Sequence, residues 1–209
     1  MSLGDIAVVG EQNIFVEGVT DQILLANASS KLQATNRQHL DLERISIVPF
    51  SDEETLGHLL QTAARLGARS VVLVDSDKAG RTVLRKHAPT TQCREIGMYV
   101  DAPGRDCSVE DLIATDDYLA AVNDAYSGFE WFTPFEPEAV RHAIGQSSLG
   151  AYLENTFRAR FQRSFSKTFV AVALVARAEP FQAGALDRFS LMITDLLIGL
   201  ASAPEAAGR

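Results

Sequence analysis

Two apolar runs of this sequence each end in carboxylates and a glycine. The first run is followed by Glu17, Gly18 and Asp21. The second run is followed by Asp75, Asp77 and Gly80. In an open parallel sheet, ligands bind at the carboxyl ends of the strands. Four carboxylates at two such ends suit a hard divalent cation that prefers oxygen ligands. The sequence therefore predicts a site for Mg²⁺ or Mn²⁺.

The spacing of the acids supports this prediction. Glu17 ends a strand, and Gly18 would let the backbone turn sharply or approach a ligand closely. Asp21 lies one helical turn further on and can point back to the same face. Asp75 and Asp77 flank one residue, so both face one side of an extended chain. Two metal ions held here would clamp the attacking and leaving oxygens of a phosphodiester.

Most of these acids also have a simpler structural interpretation. Asp77 could cap the helix that follows it, and Asp21 could complement a helix dipole. Glu110 is a fifth acid, at the start of a helix after the fourth predicted strand, and the neighbouring Asp111 is predicted to cap that helix. Glu17 differs, because helix capping does not require a glutamate at a strand end. The combination of Glu17 with the Asp75-x-Asp77 pair favours a functional site.

The elements that must position these acids alternate between strand and helix in the first half of the chain. Predicted strands cover residues 13–16, 45–50, 70–74 and 93–100, and predicted helices cover 20–32, 51–66 and 78–87. This alternation indicates a parallel α/β sheet with right-handed crossovers. Gly80 is expected to relax the start of the third helix. Helices are then predicted at 108–125, 138–145, 149–161, 167–178 and 186–201.

Composition limits the class of protein. The chain has 209 residues, of which 46% are hydrophobic and 22% charged, as expected for a folded globular domain. A net charge of −8 argues against a simple basic nucleic-acid binder. The charge is uneven, however, because Arg158, Arg160, Arg163 and Lys167 lie close together; this cluster is either a solvated helix face or a phosphate-binding surface.

The cellular location is predicted from what the sequence lacks. The N-terminus does not resemble a signal peptide, and the longest apolar stretch, 191–203, is interrupted by Asp195 and is too short to span a bilayer. Two cysteines without metal-type spacing suggest a reducing compartment. We expect a cytoplasmic protein with no membrane association.

The two acidic segments resemble the Toprim domain of topoisomerases, primases and related nucleases. The carrying motifs are Phe-Val-Glu17-Gly18-x-x-Asp21 and Leu-Val-Asp75-Ser-Asp77-x-x-Gly80. The segment around Glu110, the appended helices and a late lysine are similar to the C-terminal nuclease region of overcoming-lysogenization-defect (OLD) proteins. The resemblance implies an α/β fold with a Toprim-like four-stranded parallel sheet flanked by helices and an appended C-terminal helical subdomain. The implied divisions are a catalytic core at 1–111, a helical subdomain at 112–166, helices packing on the core at 167–201 and a loose tail at 202–209.

The resemblance also implies a function, a metal-dependent DNA endonuclease or nickase that uses two ions. Glu17 would be an acid/base group or a ligand, and the implied metal ligands are Glu17, Asp21, Asp75, Asp77 and Glu110. OLD-type nucleases use a basic residue near the scissile phosphate, and Lys167 is the candidate, with an exposed helix-end lysine as the alternative. OLD proteins carry an ATPase domain, but this sequence has no GxxxxGK[ST] motif. We therefore expect a fragment of an OLD protein or a free-standing relative. The expected partners are DNA and an ATPase, which is either part of the same full-length chain or a separate protein. Oligomerisation is expected to occur through that ATPase.

Two other functions remain open on the residues alone. A haloacid-dehalogenase-type phosphatase would use Asp75 as nucleophile and Asp77 as acid/base. That family places the motif on its first strand, which would leave Glu17 without a role. A non-catalytic Toprim module that binds metal and nucleic acid is the second alternative. Clustered carboxylates argue against it, because they repel one another unless a cation offsets them.

Overall fold

The protein is built around a four-stranded parallel sheet. The computed structural model describes residues 10–202. The strands are β1 (Gln12–Val16), β2 (Ile45–Pro49), β3 (Arg69–Val74) and β4 (Gln92–Glu95), in the order β2-β1-β3-β4. All three neighbouring pairs are parallel, and Val16 lies opposite Leu73 in the register of β1 and β3. The predicted fold class is confirmed, and the carboxyl ends of the two central strands meet.

Eight helices and three tight turns of helix complete the described chain. The helices are α1 (Val19–Ala34), α2 (Glu53–Arg65), α3 (Lys78–His87), α4 (Thr115–Tyr126), α5 (Pro137–Ala143), α6 (Leu149–Thr156), α7 (Lys167–Val175) and α8 (Ala183–Ser202). Single turns of 3₁₀-helix cover Ile96–Tyr99 and Val109–Leu112, and a π-helical turn covers Phe157–Phe161. The predicted loose tail lies outside the described residues except for Ser202.

Alternating side chains of the strands pack into two separate hydrophobic cores, one on each face of the sheet. Ile14 and Val16 face a large cluster that includes residues of α1, α4, α7 and α8. Phe15 and Val72 face a smaller cluster with α2 and α3. Every one of these strand residues is fully buried, as expected for strands covered on both faces. The helices after residue 112 therefore share their apolar core with the sheet that carries the acids.

Local signals account for several helix ends. Asp52 caps α2 by accepting a hydrogen bond from the backbone N–H of Thr55, so the cap is one residue later than Ser51, where the capping box was predicted. Gly67, with φ +70°, follows the end of the same helix, where a left-handed conformation favours glycine. Thr20, predicted as a possible cap for α1, is instead buried one residue inside the helix.

The fourth strand is shorter than predicted. The sequence predicts a strand over 93–100, but β4 ends at Glu95 and the chain then forms a 3₁₀ turn. Its neighbour β3 ends at Val74, so no strand remains for further pairing. The backbone N–H of Gly97 instead donates to the Ser76 hydroxyl at 2.6 Å.

The segment around Glu110 also differs from the prediction. A single helix over 108–125 was expected, but Val109–Leu112 forms a separate turn and α4 begins at Thr115. The carboxylate of Asp111 accepts hydrogen bonds from Ser108 and also from the backbone N–H of Leu149, which fixes this turn to α6. The turn is therefore held by tertiary contacts, and it presents Glu110 to the sheet.

Candidate active site

Glu17 and Asp75 lie side by side at the carboxyl ends of β1 and β3. The Glu17 Oε1 atom accepts a hydrogen bond from the backbone N–H of Asp75 at 3.2 Å. Burial raises the pKa of Glu17 from its ordinary 4.5 to about 7, and the charge of Asp77 adds to this effect. The Asp75 N–H and the Lys167 ammonium act in the opposite direction. Glu17 is thus positioned by the sheet itself and titrates near neutral pH.

Asp21, in the first turn of α1, belongs to the same group of carboxylates. Burial raises its pKa from 3.8 to about 7, and the nearby charges of Glu110 and Glu17 contribute. The pKa of Asp75 is also raised well above its usual value, by burial first and then by Asp21, Glu110 and Glu17. Four predicted site acids, Glu17, Asp21, Asp75 and Glu110, therefore act on one another electrostatically, as expected for like charges buried close together.

Glu110 is the most unusual member of the group. Its side chain is 1% exposed, and neither carboxylate oxygen has a hydrogen-bond partner. A buried carboxylate without partners costs free energy unless a cation or proton compensates it. The nearest cation is Lys167, whose Nζ lies 3.8 Å from Glu110 Oε1.

Lys167 lies between two carboxylates at the start of α7. Its Nζ is also 3.6 Å from Glu154 Oε1, and its side chain is 27% exposed. Burial alone would lower the lysine pKa, but Glu110, Asp75, Glu154 and Asp21 outweigh it and raise the pKa above its ordinary value. Lys167 is therefore a fixed cation within the acidic group, and its position explains an otherwise unfavourable lysine at a helix N-terminus.

Two glycines permit the close packing of this site. A Cβ atom on Gly150 would lie 2.8 Å from Lys167 Nζ and 3.0 Å from Glu110 Oε2. A Cβ atom on Gly80 would overlap the backbone carbonyl oxygen of Asp75 and lie 3.1 Å from Glu17 Oε1. The structure thus adds Gly150 and Glu154 to the site residues that the sequence indicated. Neither carries a motif, because their role arises from the packing of α6 against Glu110.

Other predicted residues have clear local roles. Asp77 caps α3 by accepting from the backbone N–H of Gly80 at 2.8 Å, as the simpler interpretation anticipated. Asp111 is a structural residue: it completes a capping box with Ser108 and pairs with Arg105 at 2.6 Å. Gly18 has extended backbone (φ −162°), so no sharp turn at this position requires glycine.

A cleft of about 560 Å³ opens beside Glu17 and Asp77. Its other walls are the β2–α2 loop and the first turns of α3; the lining residues include Phe50, Ser51, Asp52, Lys78 and Thr82. This cleft opens the carboxyl ends of β1 and β3 to solvent.

The acidic group offers only oxygen donors to a metal ion. Within residues 10–202, no three His, Cys, Asp or Glu side chains form a group that could hold a metal ion. Mg²⁺ does not need such a cage, because one or two carboxylates, several waters and substrate phosphates commonly complete its octahedron. The all-oxygen donors and the unpartnered oxygens of Glu110 fit this sparse mode of binding.

A four-stranded parallel sheet with these acids at the ends of β1 and β3 defines a Toprim-like α/β protein. Residues 10–77 match the family model of the overcoming lysogenization defect protein-like TOPRIM domain, so the chain carries a Toprim domain of the OLD type, as the resemblance predicted. Domains of this type are generally metal-dependent, nucleic-acid-related modules. No curated protein and no solved structure matches the chain. Among the described helices, none is long and apolar enough to cross a membrane.

Proposed function

We propose that this protein is a metal-dependent DNA endonuclease that nicks or cuts by phosphodiester hydrolysis. The observation that carries the proposal is the buried carboxylate of Glu110, which has Lys167 at 3.8 Å but no hydrogen-bond partner, within the acidic group beside the ends of β1 and β3. A site that gathers several costly carboxylates around one lysine is destabilising without a ligand, so binding a cation and a phosphate offers a direct compensation. The proposed metal ligands are Glu17, Asp21, Asp75, Asp77 and Glu110, shared between two ions and completed by water and phosphate oxygens, because no three of these acids form a preformed cage.

Glu17 is proposed as the group that moves the proton. Its pKa of about 7 allows it to exchange a proton at neutral pH, which is the condition for efficient general acid–base catalysis. The N–H of Asp75 holds Oε1 in place, and Glu17 lines the cleft. Glu17 would accept the proton of the attacking water there.

Lys167 is proposed to contact the scissile phosphate. Its ammonium is held by Glu110 and Glu154 at 3.8 and 3.6 Å, distances longer than a good hydrogen bond. An incoming phosphate oxygen can therefore bind it without breaking a tight ion pair. Stabilising charge that develops in the transition state is the expected contribution of such a preorganised cation.

Bound Mg²⁺ or Mn²⁺, as two ions, would supply Lewis-acid stabilisation of the attacking and leaving oxygens.

We assign the core to 1–111, with 112–166 as a helical subdomain and 167–201 as helices packed on the core. The proposed partner is an ATPase, either in the same full-length chain or as a separate protein, and oligomerisation is proposed to occur through it. The proposed location is the cytoplasm.

Nicking of supercoiled plasmid in Mg²⁺ and in Mn²⁺ tests the proposal. We expect metal-dependent nicking, with Mn²⁺ at least as effective, because Mg²⁺ demands stricter geometry. Glu17→Gln and Asp77→Ala should each slow cleavage by about a hundredfold or more. Glu54→Gln removes an exposed carboxylate outside the site and serves as the matched control. Plasmid that remains supercoiled while the protein still binds DNA would instead indicate a non-catalytic Toprim module.

A further inference from the structure

An unpaired group of arginines lies on the helical region that follows α6. Arg158 and Arg160 belong to the π-helical turn, and Arg163 follows it. All three are exposed, and no carboxylate of residues 10–202 lies within ion-pair distance of them. Other arginines of the chain, such as Arg105 and Arg177, do pair with aspartates. The three guanidinium groups are therefore available to an anion from outside the chain.

Aromatic rings hold two of these arginines in place. The guanidinium carbon of Arg160 lies 5.0 Å from the ring centre of Phe161, and that of Arg163 lies 5.9 Å from Trp131. The rings of Trp131 and Phe161 are 5.5 Å apart, so both arginines sit on one aromatic layer. Stacking on a ring orders a guanidinium and leaves its N–H edges free to bind phosphate.

The same layer continues to two exposed phenylalanines. Phe129 and Phe169 are each 43% exposed, and their rings lie 5.9 and 5.4 Å from the ring of Tyr126. Phe129 also lies 5.3 Å from Trp131. Large aromatic side chains left in water next to cations are typical of a contact surface.

This surface borders the candidate active site. The hydroxyl of Tyr126 accepts a hydrogen bond from the backbone N–H of Ser166 at 3.0 Å, one residue before Lys167. On the other side, α6 carries Glu154, which faces Lys167, and runs directly into the π-helical turn. The arginines and rings are therefore connected to the candidate active site through Ser166 on one side and α6 on the other.

We propose that Phe129, Trp131, Phe169, Arg160 and Arg163, the aromatic–arginine surface, bind single-stranded nucleic acid through stacked bases and phosphate contacts. The proposal rests on the proposed function and names the form of substrate, a strand with unpaired bases. Rings interleaved with arginines are how proteins bind single strands, since every base offers a face for stacking. A second copy of this chain is a poorer occupant, because a two-fold interface would bring the same unpaired cations together.

Binding of labelled oligothymidine and of a matched duplex in EDTA tests the proposal apart from cleavage. The wild type should bind the single strand more tightly than the duplex. The variant with Arg160→Ala and Arg163→Ala should weaken this binding and lower its salt slope by about 1.4, at about 0.7 per phosphate contact. Phe129→Leu and Phe169→Leu, which keep apolar bulk but remove a flat ring, should each weaken it about fivefold or more. Matched controls are Arg44→Ala with Arg65→Ala, and Leu191→Ala, at exposed positions elsewhere.

Three outcomes would overturn the proposal: tighter binding of duplex than of single strand, an equal loss of binding in the control variants, or surface variants that change oligomeric state but not DNA binding. Melting temperatures of all variants show whether any loss reflects unfolding. Nicking without an effect of the surface variants on single-strand binding refutes this proposal alone. Single-strand binding that depends on the surface, without nicking, refutes only the nuclease function.

Discussion

Glu17→Gln is expected to stabilise the metal-free protein while slowing the proposed DNA cleavage by about a hundredfold or more. The glutamine keeps an Oε1 atom that can accept the Asp75 N–H, so the hydrogen bond at 3.2 Å survives the change. What the substitution removes is the cost of a buried negative charge next to other carboxylates. Stability and activity should therefore move in opposite directions.

The magnitude follows from the pKa of Glu17. A rise from 4.5 to about 7 means that the folded protein holds this proton more tightly than the unfolded chain. The free energy of unfolding therefore decreases as the pH rises from 4.5 through 7. At 1.36 kcal/mol per pH unit the full loss is at most about 3.4 kcal/mol, and partial exposure reduces it to about 1–3 kcal/mol. For a chain of this length, 1 kcal/mol shifts the melting temperature by about 2–4 °C.

Thermal unfolding in EDTA at several pH values measures this effect. Glu17→Gln should melt about 2–10 °C above the wild type near pH 8, and the difference should vanish below about pH 4.5. Glu54→Gln, at an exposed position of α2, should show no comparable pH-dependent gain. A Glu17→Gln variant that melts at or below the wild-type temperature near pH 8 would refute the idea that the folded site penalises this charge.

Three further substitutions test the rest of the site. Asp75→Asn should raise the melting temperature in EDTA and weaken the stabilisation by Mg²⁺, since it removes one of the mutually repelling charges; a lower melting temperature in EDTA would contradict this. Gly80→Ala should cost at least about 2 kcal/mol of unfolding free energy, because its Cβ overlaps the Asp75 carbonyl, whereas Gly57→Ala, which meets nothing within 4 Å, should be neutral or stabilising in a denaturant titration. Lys167→Ala should lower single-turnover cleavage but leave DNA affinity nearly unchanged; unchanged cleavage would exclude Lys167 from the chemistry.

The strands and their acidic ends could be predicted because they depend on local sequence. An apolar run that stops at a carboxylate marks the end of a buried strand, and Glu17 lies next to Asp75 because β1 and β3 pair in parallel in the sheet. The helix α3 was predicted at its observed bounds, Lys78–His87, because its cap Asp77 and the turn after it are local signals. The end of β4 was not predictable in this way, because it depends on where its neighbour β3 stops.

The sequence predicts Asp111 as a helix cap, but only the tertiary structure shows that Glu110 is buried without a hydrogen-bond partner. Both residues lie in one short acidic turn. The Asp111 carboxylate accepts hydrogen bonds from Ser108, Arg105 and the Leu149 N–H, whereas Glu110 is buried without a hydrogen-bond partner. That difference arises from how α6 packs on the turn, a contact between segments nearly forty residues apart. The same packing decides that Lys167 meets Glu110 across Gly150. Sequence spacing determines which residues share a strand end or a helix face, whereas long-range packing determines which charges are left to bind a ligand.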